Sequence, residues 1–277
     1  MNSDEEADNL KIYELIKKGN PIAIGKIGAN ELNFLYMEMC EPNNKYLEEI
    51  FTHNVCVQAG VYPQEIAKNF MMNEYLNCLK DVDVMAIWNE NKEFEKYLVS
   101  LKVPKVTRVT LRSLEPYYFD LQWTQLLKNK KVLIISPFTD SIKQQIPKKK
   151  QIWTNNLLPE FEPIFLKFPL SYYLLSYQER IKYPKDSQNL LKSYKDILSK
   201  IDYDFAIIGT GVYGLPLATF AKQMGKIGIH LGGPLQILFG IKGGRWDNYN
   251  FYNEYWIRPS GDEIPVNKIA CENGCYW

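Results

Sequence analysis

The sequence predicts an α/β fold, a Rossmann-like and mostly parallel sheet with helices on both faces. Three observations carry that expectation. Strand-like runs alternate with helix-periodic runs through the chain, which is the pattern of repeated βα units. Two runs, 132–135 and 205–208, are continuously apolar, as strands buried on both faces are. The connections are short, so successive elements should lie side by side.

Taken in order, 6–18 reads as an N-terminal helix and 21–27 as the first strand. Residues 31–40 follow as a helix, because Leu32, Leu35, Tyr36 and Met39 recur at i, i+3, i+4 and i+7. The run 54–58 reads as a strand and 63–79 as a helix. Strands at 82–88 and 106–110 flank a helix at 91–98, and 121–128 has helical periodicity. Strands follow at 131–136 and 163–168, separated by an irregular stretch, 147–163, read as a loop within one domain. A helix at 187–200, a strand at 204–209, a helix at 213–224 and a strand at 226–231 complete the pattern. The expectation is one domain over 1–277. Within it, 1–20 is an N-terminal helix, 21–130 a first βα half and 131–277 a nucleotide-binding half.

Composition excludes several function classes. A chain of 277 residues can bury roughly 75% of its extended surface, and 46% apolar with 23% charged residues is a globular balance. With 33 Lys and Arg against 32 Asp and Glu, the net charge of +1 gives no bulk attraction to nucleic acid. No run approaches about 18 uninterrupted apolar residues, so no membrane span is expected. The nearest, 165–177, is broken by Lys167 and Pro169. Two histidines and five cysteines (Cys40, Cys56, Cys78, Cys271 and Cys275) make no metal-ligand pattern. An odd cysteine count and an acidic start without a signal-peptide pattern fit the cytoplasm.

Ligands of open α/β sheets gather outside the carboxyl ends of the strands, so strand-to-helix turns carry the chemistry. Three stand out. In the first, Lys26, Gly28, Asn30 and Glu31 follow the first strand, and Glu31 suits a general base or a metal ligand. A lone acidic residue in a first helical turn also serves simply to complement the helix dipole. In the second, Ser136, Thr139 and Ser141 with Lys143 form a phosphate cradle, or merely an N-cap after Pro137. Asp140 on the same turn is a reserve base.

The third turn reads strand, then Gly209-x-Gly211-x-x-Gly214 with Tyr213 inside it, then a helix. That is the dinucleotide fingerprint in its proper context, but the acidic residue about 20 positions on is missing. From 205 to 246 there is no Asp or Glu, whereas Lys222, Lys226, Lys242 and Arg245 all occur. The next strand ends in His230 and a second glycine turn, Gly232-Gly233, followed by Gln236. Close helix–strand packing explains one glycine triplet; two consecutive glycine turns favour a phosphate.

The stretches 209–221 and 227–233 resemble the closing half of bacterial glycosyltransferases of the GT-D fold type. At the other end, Lys26, Gly28 and Glu31 match that family's arginine, glycine and the glutamate of an Asp-x-Glu pair. Ala29 stands where the family has the aspartate. The chain resembles more closely still proteins from surface-polysaccharide gene clusters and giant algal viruses. Runs such as 135–138, 231–233, 239–242, 245–246 and 274–277 recur there. The resemblance covers about residue 21 to the end.

What the resemblance implies is transfer of a sugar from a nucleotide donor, UDP-linked in the first instance, to a glycan or glycolipid acceptor. It also implies a role in the synthesis of surface polysaccharide or glycoprotein glycans. The setting is the cytoplasm, or the host cytoplasm for a viral protein. Glu31 would deprotonate the acceptor in an inverting displacement, and Lys242 or Arg245 would neutralise the leaving diphosphate. The missing aspartate removes half of a pair that would hold Mn²⁺ or Mg²⁺, so the expectation is reduced or absent metal dependence. A homo-oligomer is compatible with all of this. Two other readings stand beside it: an NAD(P)-dependent oxidoreductase resting on the glycine triplet, and a non-catalytic nucleotide- or carbohydrate-binding protein.

Overall fold

The runs of β-branched and apolar residues form seven parallel strands in the computed structural model, which describes residues 3–88, 93–171 and 183–277. They are β1 (Ile22–Lys26), β2 (Val84–Ile87), β3 (Thr107–Thr110), β4 (Lys131–Ser136), β5 (Glu162–Lys167), β6 (Phe205–Ile208) and β7 (Ile227–His230). All seven belong to one sheet of order β3-β2-β1-β7-β6-β4-β5. This is the α/β, Rossmann-like architecture expected from the sequence. The seam between the two halves is the β1–β7 pair, with Ile22 opposite Ile227 and Ile24 opposite Ile229.

Side chains alternate across the sheet with period two, so each strand feeds two cores. Ile24, Ile134, Ile207 and Ile229 face one layer, where α1 (Ser3–Lys17) contributes Ile12 and Ile16 and α5 (Thr139–Gln145) contributes Ile142. Leu133, Ile135, Ala206 and Ile208 face the other. There α2 (Ala29–Cys40) supplies Leu32 and Leu35, α6 (Ser187–Leu198) supplies Leu190, and α7 (Gly214–Gln223) supplies Leu217. Each such Ile or Leu side chain, fully buried, contributes about 1.5–3 kcal/mol. Helix α7 lies so close to β7 that a Cβ on Gly228 would sit 2.2 Å from the Ala218 carbonyl oxygen.

Two expected elements and one residue of an expected helical stripe differ. The run 54–58 is the end of a helix, α3 (Lys45–Val57), whose cap Asn44 accepts from the Leu47 N–H at 3.3 Å. Val55 and Val57 are buried on that helix, where tertiary packing overrides their strand propensity. Residues 121–128 make only a short 3₁₀ segment, Trp123–Leu127. Tyr36 of the proposed α2 stripe is exposed and meets Phe94 edge-on at 5.3 Å. Phe94 belongs to α4 (Glu93–Lys102); the expected start of that helix at 91, and part of 165–177, lie outside the described residues.

The topology opens a crevice. From β4 the chain passes through α5 outward to β5; from the adjacent β6 it passes through α7 inward to β7. Because α5 and α7 lie on opposite faces, the two connections diverge at the carboxyl ends of β4 and β6. Among the described residues, no helix is long and apolar enough to cross a membrane.

Candidate active site

A cavity of about 390 Å³ opens at the carboxyl edge of β1, β4, β6 and β7. From the β1 turn, Lys26, Gly28, Ala29, Asn30 and Glu31 line it. Glu31 is the third residue of α2, behind the N-cap Gly28, and it is only 6% exposed. Its carboxylate folds back over the turn, so that a Cβ on Gly28 would lie 2.1 Å from its Oε2. Burial raises the Glu31 carboxyl to about 7; its own backbone N–H and Lys26 oppose the rise, and Glu272 adds to it. A buried carboxyl in that range can give and take a proton at neutral pH.

Lys26 ends β1 with its Nζ 5.8 Å from the centre of the Trp88 ring and beside the Gly232 turn. Burial, with Arg245 nearby, pulls the ammonium below the usual lysine range, against the carboxylates of Glu115, Glu31 and Glu272. Lys26 and Glu31 thus bring an amine and a proton-accepting carboxyl to the same cavity wall.

The glycine turns bring Gly209, Gly211, His230, Gly232, Gly233 and Gln236 to the wall. The triplet has a packing cause at every position. A Cβ on Gly209 would lie 2.8 Å from the Gly232 carbonyl oxygen, and one on Gly214 would lie 1.9 Å from His230 Nδ1. Gly211 has a left-handed backbone, φ +56°, and presses on Ala59, whose carbonyl oxygen accepts from the Val212 N–H at 3.0 Å. Part of the expected phosphate-binding backbone is therefore engaged by the chain itself. Burial and the neighbouring Lys26 hold His230 at about 3, so its imidazole is neutral. Gln236 donates from Nε2 to the carbonyl oxygens of Lys242 at 3.2 Å and Tyr276 at 3.1 Å. Those acceptors settle the amide's orientation and leave its buried Oε1 without a donor among the described residues.

The second expected turn is only half in the site. Ser136 lines the cavity, together with Pro137 and Phe138. Beyond it, the N-terminus of α5 does bind an anion, and the anion is internal. Glu263 accepts from the N–H groups of Asp140 at 2.8 Å and Ser141 at 3.1 Å, and from the Ser141 hydroxyl. Thr139 and Ser141 are fully buried there, so this cradle is a structural cap and not a phosphate site. Asp140 is not a reserve base. Lys167 at 2.5 Å holds its carboxyl below the usual range, with Lys143 at 3.5 Å adding to this, and it does not line the cavity.

Three more expected residues lie outside the lining. Tyr213 is buried in the core and donates to the Gly60 carbonyl oxygen at 2.8 Å, Gly214 packs under His230, and Lys242 lies over the Tyr252 ring at 5.4 Å. Arg245 does reach the cavity, where it pairs with Glu272 and stacks on Tyr276 at 4.9 Å. Sequence reasoning missed Gln58, Trp88, Glu272 and Tyr276, all of them lining residues. Trp88 immediately follows β2 and was findable by the strand-end rule. Glu272 opens a short 3₁₀ segment and Tyr276 lies in the turn after it, with no periodicity to mark either. Among the described residues no three His, Cys, Asp or Glu side chains converge as a metal site, and Ala29 offers only a methyl group. Glu31 therefore has no aspartate partner on its own turn.

Comparison with family models, with curated proteins and with solved structures gave no match.

Proposed function

We propose that this chain is a glycosyltransferase that moves a sugar from a nucleoside-diphosphate donor to a hydroxyl of a glycan or glycolipid acceptor, with inversion. The observation that carries the reading is Glu31, a buried carboxyl raised to about 7 beside Lys26 in a cavity at the sheet's carboxyl edge. Glu31 takes the proton of the acceptor hydroxyl as that oxygen bonds to the anomeric carbon. The bond from that carbon to the diphosphate oxygen breaks, and its electron pair leaves with the diphosphate. Lys26, Arg245 and the Gly232–Gly233 turn meet the developing charge, and Glu31 passes its proton to solvent. Gln236 Oε1 supplies an acceptor for a donor hydroxyl or imide N–H. No step needs a divalent cation, which is consistent with Ala29 on the first turn.

The oxidoreductase reading has less support. It rests on the glycine triplet, whose positions have packing causes and whose Val212 N–H is engaged by Ala59. A thermal-shift screen across UDP-, GDP- and TDP-sugars, with NADH alongside, tests the choice, because a specific ligand raises the melting temperature by mass action. The expected result is a shift with a nucleotide sugar and its diphosphate. A shift with NADH alone overturns the proposal.

A further inference from the structure

The cation expected to meet the diphosphate is already neutralised. The Arg245 guanidinium donates to Glu272 Oε2, and the same oxygen accepts from the Tyr276 hydroxyl at 3.2 Å and the Cys275 thiol at 3.4 Å. The carboxylate is presented by an uncommon backbone. Glu272 and Asn273 are both left-handed, with φ of 47° and 56°, and Gly274 continues the turn at 72°. A left-handed backbone is disfavoured for a non-glycine residue, and a glutamate there has no side-chain bond to its own backbone to offset it. Gln58, at the end of α3, clamps the turn: its Oε1 accepts from the Glu272 N–H at 2.5 Å and its Nε2 donates to the Ala270 carbonyl oxygen at 3.2 Å.

Arg245 has contacts besides the one to Glu272. Its guanidinium lies 4.9 Å from the Tyr276 ring centre and 5.5 Å from that of Trp246. Neither ring contact is made through the carboxylate, so its departure would leave a stacked cation facing the cavity. Lys26, Arg245 and Glu272 all line the same cavity, and a divalent anion seated there would satisfy both cations at once.

We propose that the Arg245–Lys26 end of the cavity is a diphosphate site whose place is held in the free chain by the Glu272 carboxylate, which the ligand must displace. The inference rests on the donor reading above for its ligand class but not for its test. Glu272 is a positioning residue: it keeps Arg245 neutralised until an anion with more charge arrives.

The probe is inorganic pyrophosphate, followed by calorimetry at constant ionic strength. Glu272→Gln removes the competing charge at nearly constant size and should tighten pyrophosphate by roughly fivefold, as suits a partly exposed pair. Glu272→Asn should do the same, and asparagine tolerates the left-handed backbone if glutamine does not fold. In the Glu272→Gln/Arg245→Gln double variant the gain should vanish. Unchanged or weaker binding in both single variants overturns the proposal, as does a gain that survives loss of Arg245. So does the absence of pyrophosphate binding in wild type and variants alike. Pyrophosphate carries neither sugar nor base. Tightening without turnover of any nucleotide sugar would sink the transferase reading and leave this one standing.

Discussion

Glu31→Gln separates a buried base from a helix-dipole partner by the sign of its effect on stability. The carboxyl is raised from 4.5 to about 7, chiefly by burial. The folded chain therefore holds that proton more tightly than the unfolded chain does. The stability this proton supplies is complete below about pH 4.5 and is lost as pH rises through 7. At 1.36 kcal/mol per pH unit, the ionised carboxylate costs the fold about 3 kcal/mol at pH 8. Glutamine carries no such cost. The variant should equal wild type near pH 4.5 and exceed it by about 3 kcal/mol at pH 8, read by urea denaturation at both values. A residue that merely complements the dipole predicts the reverse, a loss of about 0.3–1 kcal/mol in the variant at pH 8. Transfer should fall by about 10²–10⁴-fold, and the wild-type rate should climb with pH through about 7 as the base ionises. A variant no more stable than wild type at pH 8, with turnover within a few-fold, refutes both the burial argument and the assignment of the base.

Three further outcomes follow from neighbouring geometry. Gly28→Ala places a Cβ where the Glu31 carboxylate now lies, 2.1 Å from Oε2, so activity should fall nearly as far as in Glu31→Gln while thermal melting moves little. Glu263→Gln should destabilise the chain by about 2 kcal/mol in urea melts, because a buried acceptor of two N–H groups and a hydroxyl loses its charge. Donor turnover should survive EDTA and gain little from Mn²⁺, since Ala29 supplies no ligand beside Glu31; full loss restored by Mn²⁺ would show another donor set at work.

The parts of this molecule legible in the sequence are those set by local periodicity. The apolar runs 132–135 and 205–208 read as buried strands, and a carboxylate just beyond β1 is expected at the sheet's carboxyl edge, where it lies. Short runs are weaker witnesses: Val55 and Val57 suit a strand by propensity, yet packing of α3 turns both side chains inward on a helix. Glycines are ambiguous for a physical reason. A missing Cβ admits a phosphate or a protein atom equally well, and at Gly209, Gly211 and Gly214 protein atoms take that space. Anion sites are the sharpest case. The donors around Ser141 and at Arg245 are visible in the sequence, because N-caps and basic residues have local signatures. Their anions are not, because Glu263 and Glu272 arrive from irregular turns 122 and 27 residues away. The two carboxylates then part by burial. Glu263 is 1% exposed and integral to a helix end, whereas the Glu272 side chain is 29% exposed on a strained turn beside a cavity. Only the second can give way to a ligand without opening the core.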